Sequence, residues 1–537
     1  MPARGHMFLP AVIGTALAVA AQPPLGLWPL AWIAPAVWIA LAMRPQLPGK
    51  RPYTSLWLAG MLYWLTADHW LRLPHPVTGI GWVALSCYFG IYLPVFVALL
   101  RVAVLRLKWP VAVSAATIWT GLELAQAHLL SGFNMGSLEH SQYQLLPLIQ
   151  ISDLGGQYLV SFVVVFGAAA IYQTWAGPSI AKRALALAPA LLLVAAACGY
   201  GQWRIATTVT TPGPVIGLVQ GSVNTVMKQD PAEQELIHQQ YCELSALACS
   251  QRPGLDLLVW PETMFRWPYV NCTDDAQLPA DEDWTLPKFK AQVAENHRIF
   301  RQLVPKLGKP MLLGVEAIDY TSAGYERYNS ALLVEADGRF GPRYDKSHPV
   351  PFGEYVPLAK TFPVLYRLTP LGSGIEWGTR TTAFRVAGHR LAANICYESA
   401  LAHVIRRQVV AHCDRGEEPD VLVNLTNDGW FRGSSELDMH LACDVFRAVE
   451  CRKPFVIAAN TGFSAAIDSL GRVIQQSKRG QNDVIIADVK LDGRHSLYMK
   501  YGDLPAGTCL AVCGVLASVG LTDRFRRKSG RQEAVSG

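Results

Sequence analysis

Two hydrophobic rhythms divide the chain. Up to about residue 205 the apolar positions run in long unbroken stretches, at residues 7–21, 26–43, 55–71, 79–100, 111–130, 158–175 and 184–199, and one more follows at 504–521. About 20 apolar residues cross the hydrocarbon core of a bilayer as a helix, so these eight stretches predict eight membrane spans. The first reads as a retained span, because more spans follow and no convincing cleavage pattern does. Between the seventh and eighth stretches the rhythm shortens. Strands are predicted at residues 215–219, 255–260, 311–315, 330–335, 383–386, 391–396, 421–425, 455–460 and 484–489, and helices at 233–247, 288–307 and 436–450. Asp337-Gly338 and Ala387-Gly388 supply turns between paired strands. Such alternation implies an α/β domain with helix-covered sheets, inserted into a membrane α-helical frame. The expected division is residues 1–205 with seven spans, 206–495 as the inserted domain, and 496–537 with the last span and a basic tail.

Composition supports the membrane reading: 51% of the 537 residues are hydrophobic and only 16% charged. The net charge of +6 is mild, and its placement carries more information than its size. Arg44, Lys50 and Arg51 follow the second stretch, Arg101, Arg106 and Lys108 the fourth, Lys182 and Arg183 the sixth, and Arg524, Arg526, Arg527, Lys528 and Arg531 the eighth. Residues 131–154 contain no lysine or arginine. By the positive-inside rule both termini are cytoplasmic and the inserted domain lies on the outer face. Residues 131–154 either lie along or re-enter the bilayer or form an ordinary loop, and Glu123, costly in lipid, is expected to face the bundle interior. No long basic tract points to nucleic acid, and no glycine-rich loop between strand and helix points to a nucleotide. The eleven cysteines include no CxxC pair or zinc-spaced cluster, so no metal or other cofactor is implied; six of them could pair in an oxidising compartment.

Three predicted strand ends carry reactive side chains. Trp260-Pro-Glu262 follows the run 257–259, Lys346 opens the proline-rich stretch that reaches Glu354 and Pro357, and Cys396 ends Leu391-Ala-Ala-Asn-Ile-Cys396-Tyr397-Glu398. A carboxylate, an ammonium and a thiol form an acyl-transfer set. The carboxylate serves as general base and acid, the thiolate as nucleophile, and the ammonium supports both the thiolate and the oxyanion. Spacing alone does not bring them together.

These motifs, with Asn424-Leu-Thr-Asn-Asp-Gly-Trp430-Phe and Asn460-Thr-Gly462, resemble the nitrilase superfamily. With the eight spans, the chain from about residue 7 to 521 resembles the apolipoprotein N-acyltransferase family. That resemblance implies a nitrilase-like α-β-β-α sandwich on an eight-helix transmembrane bundle. It implies Glu262 as general base, Lys346 as electrostatic stabiliser and Cys396 as acyl-carrying nucleophile. Glu354 becomes a supporting carboxylate, with Tyr397, Glu398 and Trp430 lining or shaping the site. The implied reaction moves an acyl chain from a membrane phospholipid to Cys396, then to the α-amine of a diacylated apolipoprotein. The implied setting is a monomer in the bacterial inner membrane with its catalytic domain in the periplasm. Alternatives are a membrane-tethered nitrilase-type amidohydrolase and a non-enzymatic multispan scaffold. The chain departs from the family pattern at Pro349, Gly429, Ile457 and Ala459 and by an acidic insertion at residues 271–283. His348 and His440 read as satisfied polar residues, and Phe265, Trp267 and Tyr269 as either a lipid-facing arm or packing residues.

Overall fold

The computed structural model describes residues 6–177, 179–278, 284–368 and 374–536; the Asp281-Glu282-Asp283 part of the acidic insertion lies outside them. The chain divides into two compact units, Met1–Thr207 with Ser496–Gly537, and Thr208–His495.

The first unit is helical. Among the described residues, four helices are long and apolar enough to cross a membrane: Thr78–Arg106, Gln157–Ala176, Ile180–Ala206 and Leu504–Thr522. Phe8–Ala21 and Trp28–Ala42 are shorter apolar helices. Small residues let some of these helices touch through their backbones: a Cβ on Gly60 would lie 2.7 Å from the carbonyl oxygen of Gly90. Residues 131–154 fold inward as short turns, leaving Asn134, Glu139, His140, Gln142 and Asp153 at most 1% exposed. Glu123 also faces the interior, accepting hydrogen bonds from Trp119 Nε1 at 2.8 Å and from the Leu138 amide at 3.2 Å.

The second unit is a two-sheet sandwich. Its first sheet contains β1 (Thr210–Gln220), β2 (Leu257–Val259), β3 (Tyr269–Cys272), β4 (Met311–Thr321), β5 (Gly324–Val334) and β6 (Phe340–Asp345). The second contains β7 (Ala383–Val386), β8 (His389–Ile395), β9 (Val421–Thr426), β10 (Phe455–Ala459), β11 (Ala465–Ile467) and β12 (Val473–Gln476). β13 (Asp483–Asp492) returns to pair antiparallel with β1. The orders are β13-β1-β2-β4-β5-β6, with β3 on β4, and β12-β11-β10-β9-β8-β7. β8, β9 and β10 are parallel and therefore need crossovers, supplied by helices Ala402–Cys413 and Glu436–Cys451.

Strand periodicity builds the layers. Leu257 and Val259 pack with Leu391, Ile395, Val423 and Val456 between the sheets, while Leu258 and Trp260 point the other way, toward Tyr241 and Phe300 on the covering helices. A strand buried on both faces reads as an unbroken apolar run, which is why the central strands were legible. Ala387 (φ 48°) and Gly388 (φ 81°) form the tight turn between β7 and β8. The structure adds β3, β6, β11, β12 and helix Ala402–Cys413 to the predicted elements. Phe265, Trp267 and Tyr269 pack: the rings of Phe265 and Phe300 lie 4.2 Å apart, and Tyr269 meets Phe340 edge to face at 5.1 Å. All eleven cysteines are free thiols.

Candidate active site

Glu262 lies two residues beyond Trp260, which directly follows β2 and is sealed under the helices. The backbone there runs close against β4. A Cβ on Gly314 would lie 2.7 Å from Glu262 Cα and collide with the Pro261 carbonyl, so only glycine fits. Glu262 is 7% exposed. Its Oε1 accepts from Asn329 Nδ2 at 2.6 Å and from Lys346 Nζ at 3.4 Å; its Oε2 accepts from the Asn427 amide at 3.0 Å.

Lys346 is the first residue after β6, and its amide donates to the Asn329 carbonyl at 2.8 Å. Its side chain is sealed, with Nζ 2.9 Å from Glu354. Burial opposes its charge, but Glu354, Glu262 and the Cys396 sulfur together push the ammonium well above the ordinary lysine range. Glu354 is held in turn: Oε1 accepts from Asn329 Nδ2 at 2.9 Å and Oε2 from the Val350 amide at 2.7 Å. One asparagine amide thus bridges two carboxylates that share one lysine.

Cys396 terminates β8 with φ 51°, a left-handed conformation that a non-glycine residue adopts only under constraint. The constraint is visible: Asn424 Nδ2 donates to the Cys396 carbonyl at 3.1 Å and to Asn394 Oδ1 at 2.7 Å. Burial, then the Glu262 charge, hold the thiol well above its usual range, while Lys346 pulls it down. The thiol therefore rests protonated beside a carboxylate able to receive its proton and an ammonium able to stabilise the anion.

Glu398 is fully buried and ties the lysine loop to the cysteine strand. Its Oε1 accepts from the Ser347 amide and hydroxyl, each at 2.7 Å, and from the His348 amide at 3.0 Å. Its Oε2 accepts from the Ile395 amide at 2.7 Å, and Tyr344 OH lies 2.9 Å from both oxygens. Arg447, paired with Glu450 at 2.8 Å, caps the same turn by donating to the Ser399 and Ala400 carbonyls.

Of the residues singled out by sequence, Glu262, Lys346 and Glu354 meet directly, and Cys396 lies within electrostatic reach of Glu262 and Lys346. Glu398 sits behind them as a clamp. Tyr397 is half-buried with its ring 6.5 Å from His348, and Trp430 is 37% exposed on the turn Asp428–Phe431, after the Asn427 that reaches Glu262. Ile457 and Ala459, both departures from the family pattern, are buried in β10 and fill core space.

Two site residues escaped the sequence reading. Asn329 lies inside β5 with no motif around it. Lys228, in the short helix Thr225–Gln229, donates to Thr263 Oγ1 at 2.5 Å. Burial lowers its ammonium to about 8, against the raising pull of Glu262 and Cys396. Beyond Lys346 the chain also presents apolar side chains to solvent: Phe352, Leu358, Phe362 and Val364 are all more than half exposed.

Residues 14–170 match the family model of the apolipoprotein N-acyltransferase N-terminal domain, and residues 216–497 match the carbon-nitrogen hydrolase model. An apolipoprotein N-acyltransferase of Rhodopirellula baltica is 32% identical over 92% of this chain and 94% of its own length. One from Geobacter metallireducens is 32% identical over 97% of this chain and 96% of its own. A solved amidase from Nesterenkonia sp. AN1, 16% identical, overlaps 51% of this chain and 93% of its own with a TM-score of 0.35.

Proposed function

Since the chain belongs to the apolipoprotein N-acyltransferase family, we propose that it moves an acyl chain from a membrane phospholipid, through a thioester on Cys396, to the α-amine of a diacylglyceryl-cysteine lipoprotein. The observation that carries this is the shared lysine: Lys346 bonded to Glu354 and Glu262, with its charge acting on the Cys396 sulfur.

In the first half-reaction Glu262 takes the thiol proton as sulfur attacks the ester carbonyl. Lys346 meets the negative charge that develops on the carbonyl oxygen. The C–O bond breaks, the lysophospholipid oxygen receives the proton from Glu262, and the acyl group remains as a thioester. In the second half-reaction the lipoprotein amine attacks the thioester and yields a proton to Glu262. The C–S bond breaks, and the proton returns to sulfur. Atoms and charges balance without a cofactor, and the covalent intermediate predicts ping-pong kinetics.

The wider reading is a monomer with eight spans, seven within residues 1–205 and one within 496–537, in a bacterial inner membrane. Residues 206–495 form the catalytic domain on the periplasmic side. The distribution of Lys and Arg between alternate loops supports that orientation. The exposed apolar side chains of Phe352, Leu358, Phe362 and Val364 suit donors and acceptors whose chains are held in lipid.

The test uses the purified full-length protein with labelled phospholipid and a diacylated lipopeptide. Triacylated product, with an acyl-thioester on the Cys396 peptide by mass spectrometry that Cys396→Ser abolishes, is the expected result. Release of free fatty acid alone would make the chain a hydrolase, and absence of any adduct would remove Cys396 from the chemistry.

A further inference from the structure

Behind the turn that carries Trp430 lies a second cluster of ionisable groups. Helix Glu436–Cys451 presents Glu436, His440 and Asp444 at successive i, i+4 positions, hence on one face, and that face is turned inward toward Asp428. Each of the four residues is at most 3% exposed. His440 Nδ1 lies 3.3 Å from Asp428 Oδ1 and 3.8 Å from Glu436 Oε1. The Nδ1, Asp428 and Glu436 ligand atoms all fall within 4.8 Å of one another.

Three acidic side chains surround one imidazole where water cannot solvate their charges, so the cluster has to be neutralised by protons or by a bound cation. The nearby Arg447 is bonded to Glu450 and to the Ser399 and Ala400 carbonyls. Two oxygens remain unanswered: Glu436 Oε2 and Asp444 Oδ1 are buried without a hydrogen-bond partner. Such orphaned acceptors are rare in folded proteins, and here they come from separate turns of one helix face.

We infer that Asp428, Glu436 and His440, with Asp444 beside them, bind a first-row divalent cation. Metal–ligand bonds of about 2.0–2.2 Å place neighbouring donor atoms roughly 3–3.5 Å apart. The two His440 separations of 3.3 and 3.8 Å are already within a few tenths of an ångström of that spacing, and the Asp428–Glu436 pair, within 4.8 Å, has to close by at most about 1–2 Å. The mixed imidazole and carboxylate donors favour Zn²⁺ or Mn²⁺ over Mg²⁺ or Ca²⁺. His440 is oriented for the task. Its Nε2 pairs with Ser399 Oγ at 2.9 Å, an arrangement in which the Nε2–H donates and the Nδ1 lone pair points at Asp428 and Glu436. The cation would tie the Asp428 turn to the helix and steady the neighbouring Asn427 amide, which donates to Glu262 Oε2 at 3.0 Å. Its role is to position, and it takes no part in the acyl chemistry.

The experiment treats the full-length protein in detergent with a chelator, then titrates Mn²⁺ while following the free-ion EPR signal, with Zn²⁺ as competitor. Wild type is expected to take up one Mn²⁺ per chain, to release it to Zn²⁺, and to gain on the order of 5 °C in its unfolding midpoint. Glu436→Gln and Asp444→Asn should each weaken Mn²⁺ uptake at least tenfold. Either variant suffices provided its metal-free unfolding transition matches wild type. No uptake by wild type, or equal uptake by wild type and both variants, overturns the inference and leaves protons to neutralise the cluster. These readouts involve no acyl transfer, so they stand apart from the test of Cys396.

Discussion

Glu398→Gln is the substitution that best separates positioning from chemistry. Glu398 offers two acceptor oxygens: Oε1 to the Ser347 amide, the Ser347 hydroxyl and the His348 amide, Oε2 to the Ile395 amide, with Tyr344 OH shared between them. Glutamine keeps the shape but has one acceptor. If its oxygen serves Ser347 and His348, its NH₂ confronts the Ile395 N–H, and that amide is buried without a partner. A buried orphan donor costs roughly 1–3 kcal/mol, and replacing a charged by a neutral acceptor weakens the remaining bonds by about 1 kcal/mol together. The sum, about 3 kcal/mol, corresponds to a factor of about 10². It falls on a carboxylate that joins the Lys346 loop to the Cys396 strand, so the variant should lower the rate of thioester formation by up to about 10²-fold. Its unfolding midpoint should drop by roughly 6–12 °C, at about 2–4 °C per kcal/mol. The assay is single-turnover acylation read by mass spectrometry of the Cys396 peptide, beside thermal unfolding. Wild-type acylation together with a wild-type midpoint would refute the reasoning, because the buried acceptors would then be dispensable.

Lys346→Ala leaves Glu262 and Glu354 facing each other across the Asn329 amide without the cation they share. Acylation should fall about 10²–10³-fold, the loss expected for one oxyanion donor, and near-normal turnover would sink the mechanism. Lys228 is charged below about pH 8 and loses that charge as pH rises through this value, so the field favouring the thiolate weakens on the alkaline side. The pH–rate profile should show an alkaline limb near 8, displaced upward in Lys228→Arg because the guanidinium stays charged; an unmoved limb would exclude Lys228 from the reaction. Gly314→Ala drives a methyl group into Pro261 and Glu262. Overpacking of this kind costs about 1–3 kcal/mol, and displacement of Glu262 should reduce acylation at least tenfold in protein that still unfolds cooperatively; unchanged acylation would show that the β4 contact does not position Glu262.

What could be read from the chain follows from how local each signal is. Glu262, Lys346 and Cys396 stand at the ends of elements whose apolar periodicity announces them, and each carries a short motif. β3 and β6 went unread because Tyr269–Cys272 and Phe340–Asp345 are short and interrupted by polar residues; β3 in addition pairs with β4, far off in sequence, whereas β6 follows its partner β5 directly across the Asp337-Gly338 turn. Asn329 looks like any residue of a half-buried strand; its importance arises because β5 pairs with both β4 and β6, setting its amide between Glu262 and Glu354. Lys228 escaped for a similar reason, since only folding brings it to Thr263. Glu398 was recognisable as part of a motif but not as a clamp, because its donors come from Tyr344, Ser347 and His348 as well as Ile395. In the membrane unit, apolar length is plain, whereas the inward fold of residues 131–154 depends on tertiary partners for its polar groups.

The unequal sharing of Lys346 explains why the site contains two carboxylates for one base. Glu354 lies 2.9 Å from Nζ and takes a backbone amide as well, so its charge is committed to holding the lysine cationic. Glu262 lies 3.4 Å from the same nitrogen. Its Oε2 accepts a single amide, from Asn427, and keeps a lone pair available for a proton. A carboxylate as tightly held as Glu354 would be a poor base, and one with no partner would not stay beside the thiol. In the proposed mechanism the division lets the lysine remain charged while Glu262 cycles between its two protonation states. Glu354→Gln should therefore do more than remove a hydrogen bond. It shifts the full burden of pairing Lys346 onto Glu262 and weakens the base that the thiol needs. The expected signature is single-turnover acylation lowered at least tenfold in protein whose unfolding midpoint stays close to wild type. A rate that falls only together with a lowered unfolding midpoint would assign Glu354 to structure alone.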